Sequence, residues 1–180
     1  MIFEPFAAFQ ASAYQIKYAT EAWERAGAAA LRRQVFCREQ GIFDSDDRDA
    51  IDEVAFPIVA LSLYGVAADA VVGTVRIHEA EAGTWWGSRL AVAPEYRRAA
   101  ALGPALIQLA VSSAHARGCR RFLAHVQSQN APLFQRLRWR TLEQVELHGR
   151  PHHHMEADLS FYPPFLAPEI GFQAHARKAA

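Results

Sequence analysis

The run Arg89-Leu90-Ala91-Val92-Ala93-Pro94-Glu95-Tyr96-Arg97-Arg98-Ala99-Ala100-Ala101-Leu102-Gly103-Pro104-Ala105-Leu106-Ile107 constrains this chain more than any other stretch. Leu90 to Ala93 reads as the end of an apolar strand. From Leu102 the sequence reads as a helix, with Pro104 in the first turn, where no intrahelical N–H is lost. A strand feeding a helix through small residues sets unpaired N–H groups and partial positive charge at the strand end. Ala99 to Gly103, with Ala105 in the first helical turn, leave those groups open to an anion, and Arg97 and Arg98 add charged donors. The expected ligand is a phosphorylated molecule held beside a strand end.

The rest of the chain bounds what that ligand serves. Its 180 residues, 51% hydrophobic and 21% charged, fit one globular domain (1–180) with a core over about 14–160 and a tail over 161–180. Lys+Arg and Asp+Glu balance at 19 each, which argues against nucleic-acid or anionic-membrane binding and makes any basic site local. The stretch Met1 to Phe6 lacks a basic region followed by a long apolar run, and no segment approaches the roughly 18 apolar residues of a membrane helix. A soluble, cytoplasmic protein is expected. Cys37 and Cys119 are too few for a disulfide framework and read as packed thiols.

The pattern along the chain alternates. A first strand is expected over Tyr14–Ala19, then a helix from Glu21 to Arg38 capped by Thr20 with Glu24. Asp44–Glu53 reads as an acidic loop or short helix. Phe56–Val66 and Ala70–His78 read as a hairpin turning at Ala67-Ala68-Asp69, and Thr84–Val92 as a further strand. A helix over Leu102–Arg117 stops at Gly118; a strand over Cys119–Val126 and a short helix over Asn130–Leu137 follow. Arg140–Leu147 and His153–Leu159 finish as strands around Gly149-Arg150-Pro151. Hairpins alternating with helical crossovers predict an α/β (α+β) fold, a mixed sheet flanked by helices. Pro163, Pro164 and Pro168 forbid one continuous helix over Phe161–Phe172, which wraps its own domain or a second subunit, as in a homodimer.

That order, with Arg98-Ala99-Ala100-Ala101-Leu102-Gly103 behind the fourth strand, resembles the GNAT superfamily of acyl-CoA-dependent N-acyltransferases over about 14–160. Ala101 stands where the family has its first glycine. Leu31 to Phe43 looks like the family's early helices, and Asn130 to Trp139 like its Asn–helix–aromatic segment. Gly149-Arg150-Pro151-His152 and Tyr162-Pro163-Pro164 are similar to a subgroup associated with nitrilase and nitrogen-starvation gene clusters. Arg32 to Phe36, Asp49, Asp52 and Arg76 also resemble landmarks of acyl-homoserine-lactone synthases, a related fold.

The resemblance implies a mostly antiparallel sheet of about seven strands, splayed between strands 4 and 5. It implies acetyl-CoA, or another acyl-CoA, lying in the gap. The cofactor arm would meet Leu90, Ala91, Val92, Asn130 and Phe134, and its pyrophosphate the loop from Arg97 through Arg98, Ala99, Ala100, Ala101 and Leu102 to Gly103 and Ala105. The Val92 N–H would stabilise the oxyanion, and holding amine and thioester together would supply most of the rate. Phe134 occupies the place of a proton-donating tyrosine, and phenylalanine donates no proton. A non-catalytic acyl-CoA-binding module is therefore an open alternative, as is a lactone-synthase-like enzyme.

The acceptor, a small-molecule amine or another amino group (of an amino acid or a protein), needs a base because it is mostly protonated at neutral pH. His125 suits the role, or is a packed core histidine. Asp52 and Glu53 are further candidates, with Glu79 a weaker one. The acidic segment of Asp44, Asp46, Asp47, Asp49, Asp52 and Glu53 binds a cationic substrate or is a solvated loop. Arg76, mid-strand among apolar residues, needs a carboxylate partner from that loop or from a substrate. His152 and His154 would share one face of a strand, but no third ligand sits at matching spacing, so no metal is expected. Trp85 and Trp86 line an acceptor pocket or pack in the core.

Overall fold

A computed structural model describes residues 9–176; the Met1–Phe6 reading lies outside the described residues. One eight-stranded sheet runs in the order β6-β7-β5-β4-β3-β2-β1-β8. Its strands are β1 (Ala13–Tyr18), β2 (Phe56–Tyr64), β3 (Ala67–Glu81), β4 (Thr84–Val92), β5 (Arg121–Gln127), β6 (Trp139–Leu147), β7 (Arg150–Ala157) and β8 (Phe172–His175). Every neighbouring pair is antiparallel except β4 with β5. Among the described residues there are three α-helices, α1 (Ala22–Arg32), α2 (Leu102–Ala116) and α3 (Ala131–Arg136).

Strand β2 is buried on both faces, and its alternation sorts the two layers. Ile58 and Ala60 pack with Leu106, Leu109 and Ala110 of α2, whereas Val59 and Leu61 pack with Ala28 of α1. Gly27 lets α1 lie against Val71, which a Cβ would strike. Burial of these aliphatic faces is the main stabilising term, at about 25 cal/mol per Å² of apolar surface. Among the described residues no helix is long and apolar enough to cross a membrane.

Several boundaries differ from the sequence expectation, each for a local reason. Glu21, not Thr20, occupies the N-cap of α1. The Glu24 carboxylate accepts from the N–H groups of Thr20 and Glu21, while the Thr20 hydroxyl accepts from Lys17. The expected helix to Arg38 stays α-helical only to Arg32 and continues as a wide π-type turn over Arg33–Glu39. The β2–β3 turn is Gly65-Val66 rather than Ala67-Ala68-Asp69, because Gly65 at φ +63° supplies the left-handed residue that a tight hairpin needs. The last hairpin likewise turns at His148-Gly149, so β7 begins at Arg150.

The sheet has eight strands where about seven are expected, because the tail adds one. Tyr162 accepts from the Trp139 indole N–H at 3.1 Å, Phe165 N–H donates to Ser112 at 3.0 Å, and β8 pairs with β1. The described tail thus wraps its own domain. Gly171 sits at φ +71°, where a Cβ would overlap the Ile16 carbonyl oxygen. Gly171→Ala is expected to release β8 while the rest of the sheet holds, read as faster amide exchange confined to β1 and β8. Unchanged exchange there would show that the turn accommodates the methyl.

Candidate active site

Strands β4 and β5 pair only at Thr84, Trp85 and Trp86, opposite Arg121, Phe122 and Leu123, and then separate. The separation coincides with a bulge: between the Thr74–Ala91 and Arg76–Ser88 pairs, β4 carries one residue more than β3, and Arg89 takes φ +57°. A bulge bends its strand and increases local twist, which turns β4 away from β5. The resulting cleft of about 520 Å³ passes through the sheet. On the α2 side it meets Ile107, Ala110, Asn130 and Phe134; on the other face it meets Arg76, His78, Trp86 and His125.

Past the bulge the backbone of β4 has unused groups. Ala93 N–H donates to Val72 at 2.8 Å, flanking the Gly73–Val92 pair. That makes Gly73–Val92 a non-hydrogen-bonded pair, so the N–H and C=O of Val92 face away from β3, toward the gap. The Val92 carbonyl accepts from Arg97 Nε at 3.0 Å. Arg97 also grips Glu39 with two 2.8 Å bonds, holding the Glu39 carboxyl below its usual range. Arg97 therefore points back at the β4 end, leaving Arg98 exposed at the loop.

The loop keeps its donors free. Among the described residues, the N–H groups of Arg98, Ala100, Ala101, Leu102 and Gly103 have no backbone acceptor. Ala101 at φ −80° needs no glycine, which explains how alanine stands at that position. A Cβ on Gly103 would meet nothing within 4 Å, so the α2 start is open. Ala105 is buried one turn in, where its N–H donates to Ala101. Free N–H groups, open space and Arg98 suit a pyrophosphate, and the apolar gap below suits a flexible arm.

On the opposite face three arginines and three aspartates close a ring. Arg32 binds Asp47 at 2.7 Å and Asp52 at 2.6 Å. Arg76 binds Asp52 at 2.8 Å and Asp49 at 2.7 Å. Arg89 binds Asp49 at 3.3 Å and Asp47 at 2.9 Å. Each charge touches two of the opposite sign, tying α1, the acidic loop and the β4 bulge together. The Asp49 carboxyl is held below its usual range chiefly by Arg76. Burial alone would raise Asp52, but Arg32, the Asp49 N–H and Arg76 pull it well below the carboxylate range. Arg76 thus finds its partners in the acidic loop. Asp52 is spent in the ring and is a poor proton acceptor.

His125, His152 and His154 share the face of β5 and β7 opposite α2, with His125 paired across from His154. Trp86 stacks on His154 with ring centroids 5.3 Å apart and 8° between planes, and lies 5.0 Å from His125. His125 is exposed at the cleft, yet partial desolvation, then the neighbouring His154 and His152, lower its pKa from the ordinary value and favour the neutral ring. His152 Nδ1–H donates to the Arg150 carbonyl. Among the described residues no group of three or more His, Cys, Asp or Glu is arranged to hold a metal ion. Trp85 faces the core and Trp86 the cleft. Phe134 is buried against Trp139. Cys119 is buried, which pushes its thiol up to about 11, and Cys37 sits in the π-type turn; neither lines the cleft.

Sequence reasoning missed Arg89, Glu39, Gln40 and Gln127. Gln40 bridges the mouth of the gap, accepting from the Gln127 amide at 2.9 Å and, through its carbonyl, from Arg150. Only Arg89 had a signal, a charge directly before an apolar strand end.

The model of the acetyltransferase (GNAT) family matches residues 17–137, more than half the chain. No curated protein sequence matches significantly. Among solved structures, a candidate N-acetyltransferase from Lactobacillus plantarum superposes with TM-score 0.71 at 22% identity, over 80% of this chain and 97% of that one. Escherichia coli ElaA gives 0.67 at 19%, over 81% and 98%. An acyl-CoA N-acyltransferase from Pseudomonas aeruginosa gives 0.61 at 16%, over 81% and 99%.

Proposed function

The chain belongs to the acetyltransferase (GNAT) family, and from that membership we propose that it transfers an acetyl group from acetyl-CoA directly to the amine of a small molecule. The observation that carries the reading is the gap between β4 and β5, with the unused Val92 N–H facing it. Acetyl-CoA supplies the activated thioester. The free loop donors of Arg98 and Ala100 to Gly103 bind its pyrophosphate, and Leu90, Ala91, Asn130 and Phe134 line its arm. The Val92 N–H donates to the developing oxyanion, where a pre-oriented donor is worth most. A place in the nitrilase-associated subgroup rests on the Gly149-Arg150-Pro151-His152 and Tyr162-Pro163-Pro164 motifs alone. Two free cysteines accord with a reducing, cytoplasmic setting.

We assign the base to His125 rather than to Asp52. His125 lines the cleft, and its lowered pKa favours the unprotonated ring that a base requires. As pH falls through that pKa the ring gains a proton and loses its function. The rate should therefore fall on the acid side, below about pH 6.5. In His125→Ala that acid limb should vanish along with about 100-fold of kcat. An unchanged pH profile would remove His125 from the mechanism.

Titration with acetyl-CoA, followed by free-thiol release across an amine panel, tests the whole reading. Failure to bind any CoA ester would sink it. The buried Phe134, which offers the thiolate no proton, favours a second reading, a regulatory acyl-CoA-binding module. Binding without turnover identifies that case. The ring that unites Arg32, Asp49, Asp52 and Arg76 favours a lactone-synthase-like enzyme instead, recognised by dependence on S-adenosylmethionine and an acyl carrier.

A further inference from the structure

The acidic loop beside the cleft invites the expectation of a cationic substrate, and the charge ring removes the basis for it. Asp47, Asp49 and Asp52 are each held by two guanidinium groups, and each guanidinium by two carboxylates. Asp49 is the one carboxylate among the described residues lining the cleft, and it is already bound to Arg76 and Arg89. Asp44, Asp46 and Glu53 of the same loop are exposed and do not line the cleft, so an ammonium entering it would give up water and, among the described lining residues, find no unpaired carboxylate, which is costly. An amine arriving uncharged meets no such cost.

Beside the ring the cleft carries aromatic and aliphatic side chains among its histidines. Trp86 lines the cleft, stacked on His154 and 5.0 Å from the His125 ring. Phe43 faces it with the Arg89 guanidinium 4.6 Å from its centroid, and Ile51 adds an aliphatic wall. Aromatic rings recognise other rings by offset stacking and edge contacts.

Taking the acyltransferase reading as given, we infer that the acceptor is an aromatic monoamine of low basicity, uncharged when it binds, whose ring lies against Trp86 while its nitrogen reaches His125. The nitrogen lone pair attacks the thioester carbonyl, a C–N bond forms as the C–S bond breaks, the amine proton passes to His125, and the thiolate leaves. The charge ring then acts as a rigid, neutral wall, and selectivity comes from exclusion of polycations as much as from attraction of rings.

Calorimetric titration with acetyl-CoA comes first, since absence of binding overturns the acyltransferase reading itself. With binding established, thiol release is compared for p-anisidine, phenylalaninamide, phenethylamine and spermidine at pH 7.5. The two weakly basic aromatic amines are expected to exceed spermidine in kcat/KM by about 100-fold. Trp86→Ala should raise KM for phenylalaninamide by roughly tenfold with acetyl-CoA affinity unchanged, and Trp86→Phe should restore it. Spermidine as the best acceptor, no acetylation of either weakly basic aromatic amine, or a KM indifferent to Trp86→Ala in a folded variant would each overturn the inference while leaving the donor assignment standing.

Discussion

Val92→Pro is expected to lower kcat by about 10²–10³-fold while acetyl-CoA still binds, because it deletes one N–H and little else. The substitution is suited to this position by the sheet itself. Val92 sits in a non-hydrogen-bonded pair with Gly73, so its N–H serves no ladder bond to β3, and β5 has already separated. Proline is tolerated where a strand presents its N–H to open space. The residue before it, Ala91, is already extended in β4, as a pre-proline residue must be. Val92→Ala, which keeps the N–H, provides the control and should turn over at close to the parental rate. Calorimetry separates loss of binding from loss of chemistry. A Val92→Pro enzyme with normal affinity and normal kcat would remove the oxyanion role.

Those particular residues also show how far the sequence could be read. The strand, small-residue loop and helix from Leu90 to Ala105 were legible because each has its own local signal: an apolar run, a proline, a gap in side-chain bulk, and helical periodicity. Their order carried the fold with them. The splay between strands 4 and 5 was legible only through the family resemblance, and the left-handed backbone at Arg89 that starts it was not, since the charge of that residue says nothing about its φ. The ring was half legible. Arg76 demanded a partner and the acidic loop was the nearest supply, yet nothing local says that Arg32 and Arg89 arrive from other elements to neutralise the same carboxylates. Long-range charge pairing depends on tertiary approach. The same holds for β8, whose four residues pair with β1 only after the chain has passed Pro168, the carbonyl of which accepts from Tyr18 N–H at 2.8 Å.

Arg76→Met should cost about 3 kcal/mol of folding stability, the scale seen when one partner of a buried ion pair is removed. Arg76 is 2% exposed in the middle of β3, with Nη1 binding both Asp49 and Asp52 and Nε donating to Ser88 at 2.9 Å. Methionine fills much of the volume, so the loss is electrostatic rather than a cavity. Asp52 keeps Arg32 and Asp49 keeps Arg89, and Asp49 has solvent beside it, which holds the cost at the lower end. In urea, with a slope of about 2 kcal/mol/M, the midpoint should fall by roughly 1.5 M without a change in slope. The pH dependence gives an independent check. The ring holds the carboxyls of Asp49 and Asp52 below their unfolded values, so its stabilisation is complete above the unfolded carboxyl pKa. It is lost as pH falls from about 4 through the depressed folded values. Without Arg76 the depression shrinks, and the difference in stability between the two proteins should narrow steadily over that acid range. A constant difference down to the lowest pH at which both fold would mean that Arg76 stabilises the sheet by packing alone.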